Sequence, residues 1–360
     1  MIISRTPYRI SFFGGGTDYP AWYRQHGGAV LATTINKYCY LTCRYLPPFL
    51  EHRIRVVYSK IEQCQTLDQI VHPSVRETLR FLKIERGIEI HHGGDLPGRS
   101  GMGSSSSFTV GLLHALYALK GNIVGKRRLA SEGIHLEQEI MKETVGSQDQ
   151  VCAAYGGMNR ISFLQNGDFS VQPMTLSQNR LQELNCHLML FYTGIKRTAS
   201  EVAASYGTKS TVAERSNLLK QMQSYVDQSC DILNSDQGLA GFGELLHQAW
   251  LAKRSLSDKV SNPQVDALYE AARSAGALGG KLLGAGGGGF ILFFVPPERQ
   301  AALKKRFSQL IHVPFEFEYS GSQIIFYDLE EDFAKHDKVR SRKQLEQFRE
   351  LIPDSPLASL

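Results

Sequence analysis

A glycine-rich turn that runs into four serines and then into an apolar run constrains this chain more than any other feature. The stretch is Leu96-Pro97-Gly98-Arg99-Ser100-Gly101-Met102-Gly103-Ser104-Ser105-Ser106-Ser107, and the apolar run extends from Phe108 to Leu119. The pattern predicts a loop that opens a buried helix. The first amides of a helix have no intrahelical partners, and the macrodipole adds partial positive charge there. Glycines let the backbone wrap closely around a ligand. Serine hydroxyls can cap the helix, contact phosphate oxygens or ligate Mg²⁺. Such a loop is a phosphate cradle, with Pro97, Gly98, Gly101, Met102, Gly103, Ser104, Ser105 and Ser106 as its contacting candidates. It is not a Walker A loop, because no Gly-Lys-Ser/Thr closes it. A flexible turn with an ordinary serine cap is the plainer alternative.

A chain of 360 residues is long enough for two domains. With 21% charged and 42% hydrophobic residues it has the composition of a soluble globular enzyme. The net charge of +5 suits an anionic substrate without demanding one. Basic residues are scattered except for short clusters such as Lys126-Arg127-Arg128, and no basic stripe is interleaved with aromatics, which argues against nucleic acid as a partner. The six cysteines, at 39, 43, 64, 152, 186 and 230, show no Cys-x-x-Cys spacing and read as small buried hydrophobes in a reducing compartment. Met1-Ile2-Ile3-Ser4-Arg5 is too soon charged for a signal peptide, and no apolar run reaches membrane-span length. The expectation is a cytoplasmic protein without a membrane partner; a homo-oligomer stays open.

Along the chain, residues 1–58 alternate strand-like runs with turns, including Ile10 to Phe13, Tyr38 to Arg44 and Ile54 to Tyr58. Helices are expected at Pro73 to Leu82, 104–119 and 126–142, a strand at Gly87 to His91, and a hairpin around Asn166-Gly167. A second region starts near Asn185 with a strand from Cys186 to Tyr192. Helices follow over about 200–275, then a glycine run at 284–289, a strand from Phe290 to Val295, a helix near 297–309 and two strands near 314–327. A charged, mainly helical tail covers 328–360. The pattern is α+β, divided into 1–184 and 185–360.

Two acids stand out. On a 3.6-residue period, Ala130, Gly133, Ile134, Ile140 and Met141 form one apolar stripe with Glu137 in its middle. An acid there is costly unless paired. A divalent cation is one partner; a nearby Arg or Lys is another. Asp149 follows a glycine turn in Val145-Gly146-Ser147-Gln148-Asp149-Gln150, beyond the expected helix end, where it can project a carboxylate or simply bond its own backbone.

Arg5-Thr6-Pro7-Tyr8-Arg9-Ile10-Ser11-Phe12-Phe13-Gly14-Gly15-Gly16-Thr17-Asp18 near the start, the serine loop, and Lys281-Leu282-Leu283-Gly284-Ala285-Gly286-Gly287-Gly288-Gly289-Phe290 near the end resemble, in this order, the three signature motifs of the GHMP kinases. The resemblance covers about 330 residues and implies a two-domain α+β kinase fold with an active-site cleft between the domains, ATP as donor and Mg²⁺ as cofactor. In galactokinase-like members an acid on a helix and an Asp in a Gly-x-x-Asp-Gln turn lie twelve residues apart, as Glu137 and Asp149 do. By this resemblance Glu137 holds Mg²⁺, Asp149 is the catalytic carboxylate, and Arg9 lies near it as a catalytic partner that keeps it ionised or stabilises charge on the transferring group; a solvated strand arginine is the alternative for Arg9. Ser104 and Ser105 match paired serines of the second motif, with Ser105 the preferred Mg²⁺ ligand and the register uncertain by one. Gly286 and Gly287 of the third motif would approach the nucleotide.

Asp18 matches an acid that grips sugar hydroxyls, and Thr17 precedes it; a helix cap before Pro20-Ala21-Trp22 is the alternative for Asp18. Galactokinases carry Glu-His where this chain has Gly15-Gly16, so the pocket is roomier and galactose is disfavoured. The Gly-Gly-Gly-Thr-Asp form resembles the branch that phosphorylates D-glycero-D-manno-heptose 7-phosphate at its anomeric oxygen, for nucleotide-activated heptose synthesis. Thr193-Gly194-Ile195-Lys196-Arg197-Thr198-Ala199-Ser200 also resembles that branch. Lys196 and Arg197 could bind the phosphate already on the sugar, or form an exposed basic turn. The rivals are another sugar 1-kinase, acting on fucose, arabinose or galactose, and a non-catalytic sugar or nucleotide sensor.

Overall fold

The computed structural model describes residues 1–47, 50, 52–195 and 212–328. Its first half is a sheet backed by helices. Strands β1 (Ile2–Phe13) and β2 (Gly28–Tyr45) pair antiparallel along most of their lengths, with α1 (Pro20–His26) between them. β2 spans 18 residues and changes partners along its length. Its beginning pairs with β6 (Asn159–Phe163), and its end pairs with β5 (Ile88–Gly94). The β1–β2 register shifts between Pro7 and Tyr8. A proline cannot donate to a ladder, so a bulge is the natural place for it. β3 (Ile54–Val57) adds in parallel to β5, and β4 (Ile61–Cys64) closes that edge. β7 (Phe169–Pro173) forms the expected hairpin with β6.

Helices α2 (Pro73–Phe81), α3 (Ser104–Leu119), α4 (Lys126–His135) and α5 (Gln148–Tyr155) belong to this half. α3 packs on β1 and β2 on one side and on α4 and α5 on the other. That is why its apolar run has no polar face: Phe108, Val110, Leu112, Leu113 and Leu116 are all buried.

The second half holds α6 (Gln178–His187), β8 (Leu188–Tyr192), α7 (Val212–Asn234), α8 (Ala240–Arg254), α9 (Pro263–Ser274), β9 (Gly279–Leu282), β10 (Phe290–Phe294), α10 (Gln300–Arg306) and β11 (Ile311–Val313). Its sheet runs in the order β11-β8-β10-β9 among the described residues. The chain then returns to the first sheet. β12 (Phe317–Glu318) pairs with β2, and β13 (Gln323–Tyr327) pairs with β1. Residues 317–327, which a division at 184/185 assigns to the second half, are therefore part of the first sheet.

Several sequence expectations need correction. The region after Asp18 is a helix, α1, because Pro20 sits at its first turn. The helix expected over 126–142 is regular only to His135, and Leu136–Ile140 is a π-helical turn. The strand expected from Cys186 starts at Leu188, after α6. The helix near 297–309 is a 3₁₀ turn followed by α10. The six cysteines form no disulfide, but Cys186 is exposed rather than buried. The tail after Asp328 and the expected helix over 200–211 lie outside the described residues. No described helix is long and apolar enough to cross a membrane.

Candidate active site

The serine loop delivers its chain into α3 through Gly103, which takes the left-handed conformation at the helix cap, with φ 74°. No side chain caps this end, so the first amides of α3 stay available to an anion. Pro97 and Gly98 form the exposed lip of the loop, while Met102 is buried beneath it. Arg9, in the middle of β1, is 4% exposed. Its Nε and Nη2 donate to the two carboxylate oxygens of Asp149 at 2.7 and 2.8 Å, and its Nη1 donates to the Gly101 carbonyl at 2.6 Å. The Arg9 amide donates to the Met102 carbonyl at 3.1 Å. One residue thus ties the loop to the acid. A solvated strand arginine is excluded.

Asp149 lies in the first turn of α5, not in a free loop beyond a helix end. There the helix dipole favours its negative charge. Its side chain is 24% exposed against 5% for Arg9, so the carboxylate faces the opening and the guanidinium lies behind it.

Glu137 is fully buried in the π-helical turn. π turns insert one extra residue and often mark functional positions. Ser106 Oγ and Gln150 Nε2 both donate to Glu137 Oε2, at 2.9 and 2.6 Å, while Oε1 has no partner among the described residues. Burial pushes the carboxyl up to about 7. No described Arg or Lys pairs with it, so the structural ion pair is excluded. The serine that reaches Glu137 is Ser106; Ser105 is exposed on the other side of the turn. Ser104 Oγ instead accepts from the Arg99 amide at 3.2 Å. A buried carboxylate oxygen without a donor, beside a hydroxyl and at the mouth of a phosphate cradle, fits a divalent cation. The described residues contain no group of three or more His, Cys, Asp or Glu suited to a metal. An ion here would take most of its shell from phosphates and water, which suits Mg²⁺.

Asp18 does not cap α1; Tyr19 occupies the cap position. Asp18 is 1% exposed, with Oδ1 accepting from the Gly16 amide at 2.8 Å and Oδ2 from Gln148 Nε2 at 2.9 Å. Burial pushes its carboxyl above the usual carboxylate range. Gly146 packs on it so closely that an added Cβ would meet Asp18 Oδ2 at 1.9 Å. Gly15 and Gly16 remain half-exposed above it. Thr17 does not face this opening. Its hydroxyl donates to the Gly14 and Ala29 carbonyls at 2.8 and 2.9 Å and accepts from the Ala29 amide at 3.1 Å, so it holds the turn.

The third glycine segment, Gly284 to Gly289, lies against the serine loop through its two ends. An added Cβ at Gly284 would meet Gly101 Cα at 2.5 Å, and one at Gly289 would meet the Ser100 carbonyl at 2.1 Å. Gly286 and Gly287 turn toward Val260 instead, with the Gly287 amide donating to the Val260 carbonyl at 2.9 Å. Lys196 and Arg197 lie outside the described residues.

Sequence reasoning missed four groups here. Gln148 and Gln150 arrive on α5 because one helix turn carries both beside Asp149. Lys253 on α8 and Lys281 on β9 are each 5% exposed; a lysine inside an apolar strand just before the glycine run was the available signal for Lys281. Beside the serines, His72 stacks on Phe108 at 4.7 Å, His92 meets Phe108 edge-on at 5.3 Å, and Tyr58 meets His72 edge-on at 5.0 Å.

Residues 70–157 match the family model of the GHMP kinases N terminal domain, and residues 232–311 match that of the GHMP kinases C terminal domain. The chain is 28% identical over 306 residues to the D-glycero-alpha-D-manno-heptose 7-phosphate kinase of Campylobacter jejuni, covering 79% of this chain and 86% of that protein. It is 25% identical over 307 residues to the bifunctional fucokinase/GDP-fucose pyrophosphorylase of Arabidopsis thaliana, of which it spans only 28%. It is 24% identical over 228 residues to the galactokinase of Pyrococcus furiosus. The crystal structure of a D-glycero-D-manno-heptose 1-phosphate kinase from Bacteroides thetaiotaomicron superposes with a TM-score of 0.74 at 21% identity, covering 92% of this chain and all of that one. With a nucleotide-loop half and a glycine-motif half matched in order, and with one fold shared across nine-tenths of its length, the chain belongs to the GHMP kinases and is an ATP-dependent sugar kinase.

Proposed function

We propose that this kinase transfers the γ-phosphoryl group of ATP to the anomeric hydroxyl of D-glycero-D-manno-heptose 7-phosphate, giving the 1,7-bisphosphate. The observation that carries the site assignment is the Arg9–Asp149 clamp at the mouth of the serine loop. Phosphoryl transfer needs positioning and charge compensation more than covalent help. Asp149, facing the opening, accepts the hydroxyl hydrogen bond and takes the proton as the new P–O bond forms and the bond to ADP breaks. Arg9 fixes both oxygens of that carboxylate, so its orientation is set before substrate arrives. The Gly98–Ser106 backbone and the α3 N-terminus cradle the phosphates. Ser106 and Glu137 are the residues that would hold Mg²⁺, which when bound neutralises phosphate charge.

For the acceptor, the bare backbone of Gly15 and Gly16 above Asp18 would leave space for a large sugar. The likeness to the Campylobacter enzyme spans 86% of that protein and supports a heptose phosphate. Lys196 and Arg197 remain candidates for the existing phosphate on resemblance alone. The two halves 1–184 and 185–328, apart from the returning strands β12 and β13, would flank the cleft.

The test is ATP consumption against heptose 7-phosphate, unphosphorylated heptose, fucose, arabinose and galactose. A higher kcat/KM for heptose 7-phosphate than for every other sugar supports the reading. A preference for fucose or galactose would transfer the chain to another acceptor and leave the kinase assignment standing.

A further inference from the structure

The proposed chemistry uses Arg9, Asp149, Ser106 and Glu137, and leaves two buried lysines unexplained. Lys253 comes from the last turn of α8, and Lys281 from the interior of β9. A buried ammonium is costly and has three hydrogens to place. Each of these has one acceptor among the described residues: Lys253 Nζ donates to the Gly284 carbonyl, and Lys281 Nζ to the Phe12 carbonyl at 2.7 Å. Neither forms a salt bridge with a described residue. A lysine kept only for stability would be better replaced by an apolar residue of similar length.

Their acceptors are informative. Gly284 is the glycine that lies on Gly101, and Gly101 is the residue whose carbonyl accepts from Arg9 Nη1 at 2.6 Å. Phe12 is the last residue but one of β1, the strand that also carries Arg9, two positions before Gly14, where the turn toward Asp18 begins. Lys253 therefore fixes the glycine that braces the loop holding Arg9 Nη1, and Lys281 fixes the end of the strand that carries Arg9. Their charges also reach that clamp. Burial holds Lys253 down to about 8, with Arg9 pushing the same way and Asp18 and Asp149 opposing. Burial holds Lys281 well below the usual lysine range, with Lys253 and Arg9 pushing the same way and Asp18 opposing.

We propose that Lys253 and Lys281 are positioning residues for phosphoryl transfer: through their bonds to the Gly284 and Phe12 carbonyls they hold the third glycine segment and the strand that carries Arg9 around the Arg9–Asp149 clamp. The inference rests on the assignment of Asp149 as the transfer carboxylate. Neither lysine touches substrate in this account. A 1 Å misplacement of the clamp costs on the order of a hundredfold in rate, so two interior struts have leverage on turnover without contacting the reacting atoms.

The experiment compares K253M, K281M, K253R and K281R with the unmodified enzyme and with D149N. Methionine keeps the length and removes the donor; arginine keeps a donor. Each protein is checked by near-ultraviolet circular dichroism and thermal melting, then assayed for kcat and for KM of ATP and of the sugar acceptor. We expect folded methionine variants with kcat down about tenfold or more and KM for ATP little changed, and arginine variants with kcat restored. Folded methionine variants with unchanged kcat overturn the proposal. So does a methionine variant that cannot fold, since the lysine then serves stability. Full activity in D149N would instead remove the site assignment itself, whatever the lysine variants do.

Discussion

At the scale of single residues, the site is a set of buried charges with unequal partners. Asp149 has a two-point partner in Arg9, so replacing it with Asn keeps the shape and removes the acceptor charge. Asp149→Asn should lose turnover by on the order of 10²-fold or more while ATP still binds by calorimetry; near-normal kcat in the folded variant would reject the role. Glu137 has no cationic partner, and its consequence is a pH-dependent stability of the metal-free protein. Its ordinary value of 4.5 is raised to about 7 in the folded chain. Between those limits the native state holds a proton that the unfolded chain has released. Stability therefore falls as pH rises through that window, by about 3 kcal/mol in all. In EDTA, Glu137→Gln should flatten this slope between pH 5 and 8, and it should also raise the Mg²⁺ concentration needed for turnover. Equal urea midpoints for wild type and variant at both pH values would show that Glu137 does not carry the penalty.

At the scale of elements, the decisive contact is glycine on glycine. Gly284, at φ 71°, and Gly101, at φ 84°, adopt conformations that favour glycine; an added Cβ at Gly284 would meet Gly101 Cα at 2.5 Å, and one at Gly101 would meet the Leu283 carbonyl oxygen at 2.5 Å. Gly284→Ala should cost about 1–3 kcal/mol from backbone strain, with a further loss from displaced packing, and should raise KM for ATP. Gly98→Ala, at the exposed lip with nothing within 4 Å of the added carbon, should change melting temperature little. Equal melting of the two variants would mean that the glycine segments do not brace each other. The π-helical turn is a second element-level device. It follows the regular helix α4 and carries Glu137 to the buried side, against Ser106 and Gln150.

At the scale of the whole molecule, the first sheet is completed from the far end of the described chain. β12 and β13 return to pair with β2 and β1, and Glu318 is buried there, accepting from Thr34 Oγ1 at 3.0 Å and from the Ser320 amide at 2.6 Å. A chain ending at residue 315 would leave the edge of β1 and the Thr34 site without partners. It should not give a soluble protein with a single cooperative melting transition; recovery of such a protein would show that the returning strands are dispensable. Strands that pair across more than 280 residues also carry a high loop-closure cost during folding.

The elements that positioned the site were legible because their causes are local. Gly103 followed by serines and an apolar run marks the start of α3 at Ser104, and Asn166-Gly167 marks the β6–β7 hairpin. An acid in an apolar stripe marked Glu137 as a residue in need of a partner. Other choices could not be read from the chain because they depend on distant segments. Ser105 and Ser106 are chemically identical, and only the approach of α5 and the π-helical turn selects Ser106. Thr17 and Asp18 are neighbours, yet the carbonyls of Gly14 and Ala29 consume one while Gln148 reaches the other. Gly286 and Gly287 look equivalent to Gly284 and Gly289 until the turn at Val260 and the serine loop divide them. Lys253 and Lys281 lie 28 residues apart in sequence, and only the packing of α8 and β9 brings them to the backbone of the third glycine segment and of β1. Local propensity and hydrophobic period set what each segment becomes; which polar atom finds a partner is set by packing, since desolvation is a property of the assembled interior.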